Sequence, residues 1–159
     1  ERMDVLINLQ SLDLNKKQGS PNKARKFHFF DPFIQNTIYQ WLLREGYLNR
    51  MQFENQAVEA CVASHSKRQH KTFYFKGQGE VDVVELHNKE PLAIEVKWAE
   101  QIRPNDLKTI KLFKNNYILT KNPHLAPIDN IKTQTVYEFL LARSKSSPYF
   151  TPLHPNHNS

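Results

Sequence analysis

Apolar and polar positions change period several times along the chain, and each change marks an element. In VLINLQSLDL, Val5, Ile7 and Leu9 alternate with Leu6 and Asn8, the period of two that a strand shows. NKKQGSPNKAR breaks the pattern with Gly19, Ser20 and Pro21, and KFHFF resumes it, so residues 1–30 read as a β-hairpin with a long loop. Asp31-Pro32 is a helix start, a capping carboxylate followed by the residue best suited to the first turn. Ile34, Ile38, Trp41 and Leu42 follow at helical spacing, and Gly46 closes the helix. A second helix spans about Gln52 to His65, with Phe53, Ala57, Ala60 and Cys61 near one face and Glu54 and Val58 on the adjacent one.

KTFYFK, EVDVVELH and LAIEVKW then read as strands, the first two joined by a turn at Gly77 and Gly79, the last two around Asn88-Lys89. A helix capped near Asn105 or Asp106 carries Leu107, Ile110 and Lys114, NYILTK is a further strand, and a last helix runs near Thr133–Arg143. Val136, Phe139, Leu140 and Arg143 recur there at helical spacing. The tail, residues 144–159, has three prolines and no period and is expected to be flexible. Helix, strand, strand, strand, helix, strand from residue 51 predicts an α/β fold, a sheet with helices packed on it.

Charge does not fit this pattern equally well everywhere. Glu80, Asp82, Glu95 and Lys97 lie in two otherwise apolar strands. Folding the hairpin about Asn88-Lys89 pairs positions that sum to 177, which sets Asp82 against Glu95 and Glu80 against Lys97. Opposed carboxylates repel, more so when buried. Lys97 offsets part of this; Mg²⁺ or Mn²⁺, which favour carboxylate oxygens, would offset it fully. A lysine beside such an ion can orient an attacking water or stabilise charge developing on phosphate. An ion-pair network without metal remains the competing reading of the same residues.

Asp82 followed by Glu95-Val96-Lys97 across a hairpin resembles the PD-(D/E)XK signature of restriction-endonuclease-like nucleases, with Val81 where the proline of that name stands. The expected element order is similar to that family's core. There a glutamate on the first helix often completes the metal site; Glu54 occupies that place here, with Glu59 the alternative. KFHFFDPFIQNTI, FENQAVE, GEVDVVE and IEVKWAEQI further resemble the C-terminal domain of prokaryotic AAA-type ATPases, over about residues 5–143. The resemblance implies a restriction-endonuclease-like domain over 31–143, residues 1–30 as the wing of a winged helix, and an ATPase module in the longer chain of which this sequence would be a fragment. No GxxxxGK[ST] occurs in it.

Composition narrows the functions. The chain of 159 residues carries a net charge of +6, with 39% hydrophobic residues. No apolar run approaches the ~20 residues of a membrane span, and the N-terminus has no secretory pattern. One cysteine, Cys61, gives neither an internal disulfide nor a cysteine zinc framework, so a cytoplasmic protein is expected. Lys16, Lys17, Lys23 and Arg25 cluster without an acid, as do Lys67 and Arg68, and such clusters attract polyanions, nucleic acid above all. His154 and His157 lie in the tail and would bind metal only adventitiously. Two expectations follow: a Mg²⁺- or Mn²⁺-dependent nuclease acting on DNA, with Asp82 and Glu95 as metal ligands, Lys97 catalytic and Glu54 completing the site; or a non-catalytic DNA-binding or regulatory module of an ATPase.

Overall fold

The computed structural model describes residues 5–46, 50–98, 107–122 and 131–145. The expected α/β architecture is present as N-terminal hairpins, three helices and a mixed five-stranded sheet. β1 (Leu6–Leu9) pairs antiparallel with β4 (Lys26–Phe29), and β2 (Leu12–Asp13) with β3 (Gln18–Gly19). α1 (Pro32–Arg44) and α2 (Arg50–Gln69) follow. The main sheet runs β5 (Lys71–Lys76), β6 (Glu80–His87), β7 (Glu90–Lys97), β8 (Asn115–Thr120), β9 (Lys132–Thr135), and α3 (Val136–Lys145) comes last. β5, β6 and β7 are mutually antiparallel, whereas β7, β8 and β9 are parallel.

Neighbouring residues on the strands enter different cores, as a pleated strand requires. Phe73, Val84, Ala93 and Ile118 pack with Leu12, Leu107, Ile110 and Phe113. Tyr74, Val83, Ile94 and Leu119 pack with Ile7, Leu9, Val62, Ala63 and Phe139, so α2, α3 and β1 cover that second face. Residues 5–30 thus contribute buried side chains to both cores rather than lying apart from them.

Turn chemistry explains the element boundaries. The Asp31 carboxylate accepts a 2.8 Å hydrogen bond from the Phe33 N–H and caps α1, and Gly46 ends it with φ +74°. Gly79 sits where a Cβ would fall 2.0 Å from Thr109 Oγ1, so no larger residue fits without displacing that side chain. Asn88 and Lys89 both have positive φ, 51° and 71°, as the tight hairpin turn of type I′ needs. Lysine is strained there, so Lys89→Gly is expected to raise stability by about 0.5–1 kcal/mol in urea denaturation. An unchanged midpoint would show that the strain is relieved elsewhere.

Two expectations are corrected, and α1 adds a finding of its own. Residues 107–114 form only a 3₁₀ helix, Ile110–Leu112, where an α-helix was expected; its predicted cap at Asn105 or Asp106 lies outside the described residues, as does the tail. The last helix begins at Val136, because Lys132–Thr135 adds a parallel strand to the sheet edge. Thr135 and Glu138 fix that junction: Thr135 N–H and Oγ1 donate to Glu138 Oε2 at 3.1 and 2.8 Å, and Glu138 N–H returns a bond to Thr135 Oγ1. On α1 the apolar stripe faces outward: Phe33 and Trp41 are 73% and 65% exposed, while Gln35 and Tyr39 are buried. No helix among the described residues is long and apolar enough to cross a membrane.

Candidate functional site

The β6–β7 register is the one the turn dictates: Val83 pairs with Ile94, and every pair down to His87–Glu90 sums to 177. The ladder stops one position short of Asp82 and Glu95. There the Asp82 carboxylate takes over a ladder role, its Oδ2 accepting 3.0 Å from the Val96 N–H. The other neighbour explains the departure. Phe73 pairs with Val84 but Phe75 with Val81, so Asp82 and Val83 together stand opposite Tyr74. This is a β-bulge, which locally re-aims side chains. Val81 and Val84, three apart, consequently enter the same core.

Around the bulge four acids and three lysines converge. α2 supplies Glu59, β6 supplies Glu80 and Asp82, and β7 supplies Glu95 and Lys97. Lys26, from β4, reaches across to them. Its Nζ contacts Glu59 Oε1 and donates to Glu80 Oε1 at 2.8 Å and Asp82 Oδ1 at 3.2 Å. Lys97 Nζ lies 2.7 Å from Glu95 Oε1, and Lys76 Nζ lies 3.0 Å from Glu80 Oε2.

Electrostatics divides these acids. Burial, and then the Asp82 charge, push both Glu59 and Glu95 up to about 7, although Lys26 and Lys97 respectively pull the other way. Burial also raises Glu80, but the hydrogen bonds from Lys26 and Lys76 outweigh it and hold that carboxyl below its usual range. Lys26 is raised, since Asp82 and Glu59 overcome the burial that opposes its charge. His28 Nε2, 3.7 Å from Glu59 Oε1, falls to about 4 through burial and then the Lys26 charge, so it is neutral at pH 7. Glu95 Oε2 is buried and has no hydrogen-bond partner among the described residues.

The predicted site residues separate accordingly. Asp82, Glu95 and Lys97 are brought together. Glu54 is not with them: it is 42% exposed and lies 3.5 Å from Arg50 Nε, a turn-spaced surface pair. The helix acid at the cluster is Glu59, five residues on. Of the basic residues, Lys16, Lys23, Arg25, Lys67 and Arg68 are exposed. Lys17 has φ 52° in the β2–β3 turn, where Asp13 Oδ1 accepts from the Asn15 and Lys16 N–H groups. Lys23 Nζ contacts the Lys76 carbonyl, and Arg68 lies over the Phe30 ring at 4.7 Å.

Sequence reasoning missed Lys26 as a member of the site, because its partners lie 33 to 56 positions away. It also missed Glu85, which is fully buried on β6 and held by Arg143 of α3 through both guanidinium nitrogens, Nη2 at 2.8 Å from Oε2. The signal was available: Arg143 continues an otherwise apolar helical stripe.

A family model described as Domain of unknown function (DUF4143) matches residues 49–140. That stretch includes Glu59, Asp82, Glu95 and Lys97 but not Lys26. No curated protein and no solved structure matches the chain.

Proposed function

The chain belongs to the DUF4143 family, and from that footing we propose that its acidic edge serves metal-dependent hydrolysis of phosphodiester bonds in nucleic acid, DNA by preference. The carrying observation is the unsatisfied oxygen at Glu95: a buried carboxylate, raised to about 7, whose Oε2 lacks any hydrogen bond among the described residues although Lys97 pairs with Oε1. Carboxylate oxygens are the donors that Mg²⁺ and Mn²⁺ favour, so the residues fit such an ion, with Asp82 and Glu95 as its ligands and Glu59 beside them. The ion would supply Lewis-acid stabilisation of phosphate charge. Lys97, positioned by Glu95, would place its ammonium where an attacking water or a phosphate oxygen carries charge. Lys16, Lys17, Lys23, Arg25, Lys67 and Arg68 would hold the backbone without reading sequence. The PD-(D/E)XK resemblance supports this reading, and the resemblance of KFHFFDPFIQNTI, FENQAVE, GEVDVVE and IEVKWAEQI to the C-terminal domain of AAA-type ATPases supports an ATPase module as partner.

A second reading rests on Lys26. By satisfying Glu59, Glu80 and Asp82 it supplies internally much of the positive charge a metal would bring, as a non-catalytic DNA-binding or regulatory module of an ATPase would require. One experiment separates the two. Mn²⁺ is titrated calorimetrically into wild type and Asp82→Asn, and cleavage of linear and branched DNA is assayed with Mg²⁺ or Mn²⁺. Saturable binding lost in Asp82→Asn is expected, with cleavage reduced about 100-fold or more in Lys97→Ala. Cleavage unchanged in Glu95→Ala and Lys97→Ala would remove the site assignment, and absence of Mn²⁺ binding would favour the second reading.

A further inference from the structure

On the α2-facing side of β6, Glu85 and His87 lie two residues apart and so point the same way. His70, the residue after α2, meets them there. One ligand atom from each of His70, Glu85 and His87 lies within 4.8 Å of the other two. The imidazole rings of His70 and His87 face each other with centroids 4.0 Å apart, and His87 Nε2 lies 2.7 Å from Glu85 Oε2.

We propose that His70, Glu85 and His87 form a second cation site, separate from the acidic edge, that takes a borderline transition metal, Zn²⁺ before Mg²⁺ or Mn²⁺. Two imidazoles and one carboxylate are the donor set that Zn²⁺, Co²⁺ and Ni²⁺ select, whereas Mg²⁺ and Mn²⁺ prefer oxygen alone. Zinc with bonds of about 2.0–2.1 Å holds its donors about 3.4 Å apart, so small ring rotations complete the approach. The ion would take the Nε2 lone pair of His87 in the neutral tautomer that carries its single proton on Nδ1.

Arg143 has the role of an outer partner. It grips both oxygens of Glu85 and fixes the plane of the carboxylate, as groups behind metal ligands commonly do. A carboxylate oxygen has lone-pair capacity beyond one guanidinium bond, so Arg143 and a metal can share Glu85. His87 is 40% exposed and also lines a cleft of about 290 Å³ with Glu90, Leu92, Lys114, Tyr117 and Lys132. Three protein ligands leave a coordination position free, and the cleft is where it can be reached.

The test uses the full chain with His154→Gln and His157→Gln as common background, so that tail imidazoles cannot capture metal. Zn²⁺ is titrated calorimetrically, and Co²⁺ binding is followed by its visible absorption. With Asp82→Asn added to that background, so that the acidic edge does not compete for the ion, one equivalent of Zn²⁺ is expected, weakened at least about tenfold by His70→Gln and by His87→Gln. The tetrahedral Co²⁺ spectrum should vanish with the two histidines. If His70→Gln fails to fold, judged by circular dichroism, the half-exposed His87→Gln carries the test. Zn²⁺ binding that is absent from the background protein, or undiminished in the histidine variants, overturns the proposal. Because the probe ion and the variants differ, its failure leaves the Mn²⁺ result at Asp82 untouched.

Discussion

Arg143→Ala is expected to cost about 3–5 kcal/mol of unfolding free energy in urea denaturation at pH 7. Glu85 is fully buried, and burial pushes its carboxyl up; the hydrogen bonds and charge of Arg143 reverse this and hold it below the usual range. Removing the guanidinium leaves a buried carboxylate supported by the neutral hydroxyl of Ser66 and by His87. It also cuts the side-chain tie from α3 to β6 that the Arg143–Glu85 pair makes and uncovers the Phe139 ring, over which the guanidinium lies at 4.2 Å. Adding Glu85→Gln should restore part of the loss, because an unpaired amide is cheaper to bury than an unpaired charge. A single-variant loss below about 1 kcal/mol would mean that the carboxylate finds water or another cation.

Lys26→Met should be nearly as damaging, with a pH dependence that Glu59 sets. Lys26 holds three carboxylates, and its side chain is 22% exposed, so solvent screens part of the effect. A loss of about 2–4 kcal/mol is expected at pH 8. The sign follows from Glu59, whose folded value of about 7 lies above its ordinary 4.5. Between these values the folded protein keeps a proton that the unfolded chain has released, so Glu59 lowers stability as pH rises through that window. Without Lys26 the folded value climbs further, and the deficit of the variant grows from pH 5 to pH 8. His28, relieved of the Lys26 charge, protonates more readily near Glu59 and adds to the recovery at low pH. Under the proposed function the variant should also bind Mn²⁺ more tightly, its acids having lost their internal cation. A deficit independent of pH would show that Lys26 acts through packing of its aliphatic stem instead.

Local pattern made the sheet legible. Alternation located β5, β6, β7 and β8, and the Asn88-Lys89 turn fixed the register that set Asp82 near Glu95. The helix acid was not legible, because Glu54 and Glu59 differ by about 140° around α2 and only the packing of the helix decides which one meets the sheet. Lys26 was read as the first residue of the strand KFHFF and not as a member of the site, since nothing near it in the chain announces partners in β6. β9 was absorbed into the last helix because KTQT has no apolar alternation: it is a sheet-edge strand and its identity comes from Tyr117 through Thr120 beside it. On α1 helical spacing located the helix but not its covered face, because periodicity identifies a stripe without saying what covers it.

The bulge at Asp82 and Val83 divides β6 into two reading frames. Upstream of it odd positions face one core; downstream even positions do. The aim of the acid is therefore recorded in a register offset between two strands and not in its own identity. Anyone grafting Asp82, Glu95 and Lys97 onto another sheet would have to carry the supernumerary residue along with them. A single-residue deletion on β6 between Val81 and Val84 would bring the frames back into step while taking the acid away from Lys26 and Glu59, a change of wiring that no point substitution can imitate.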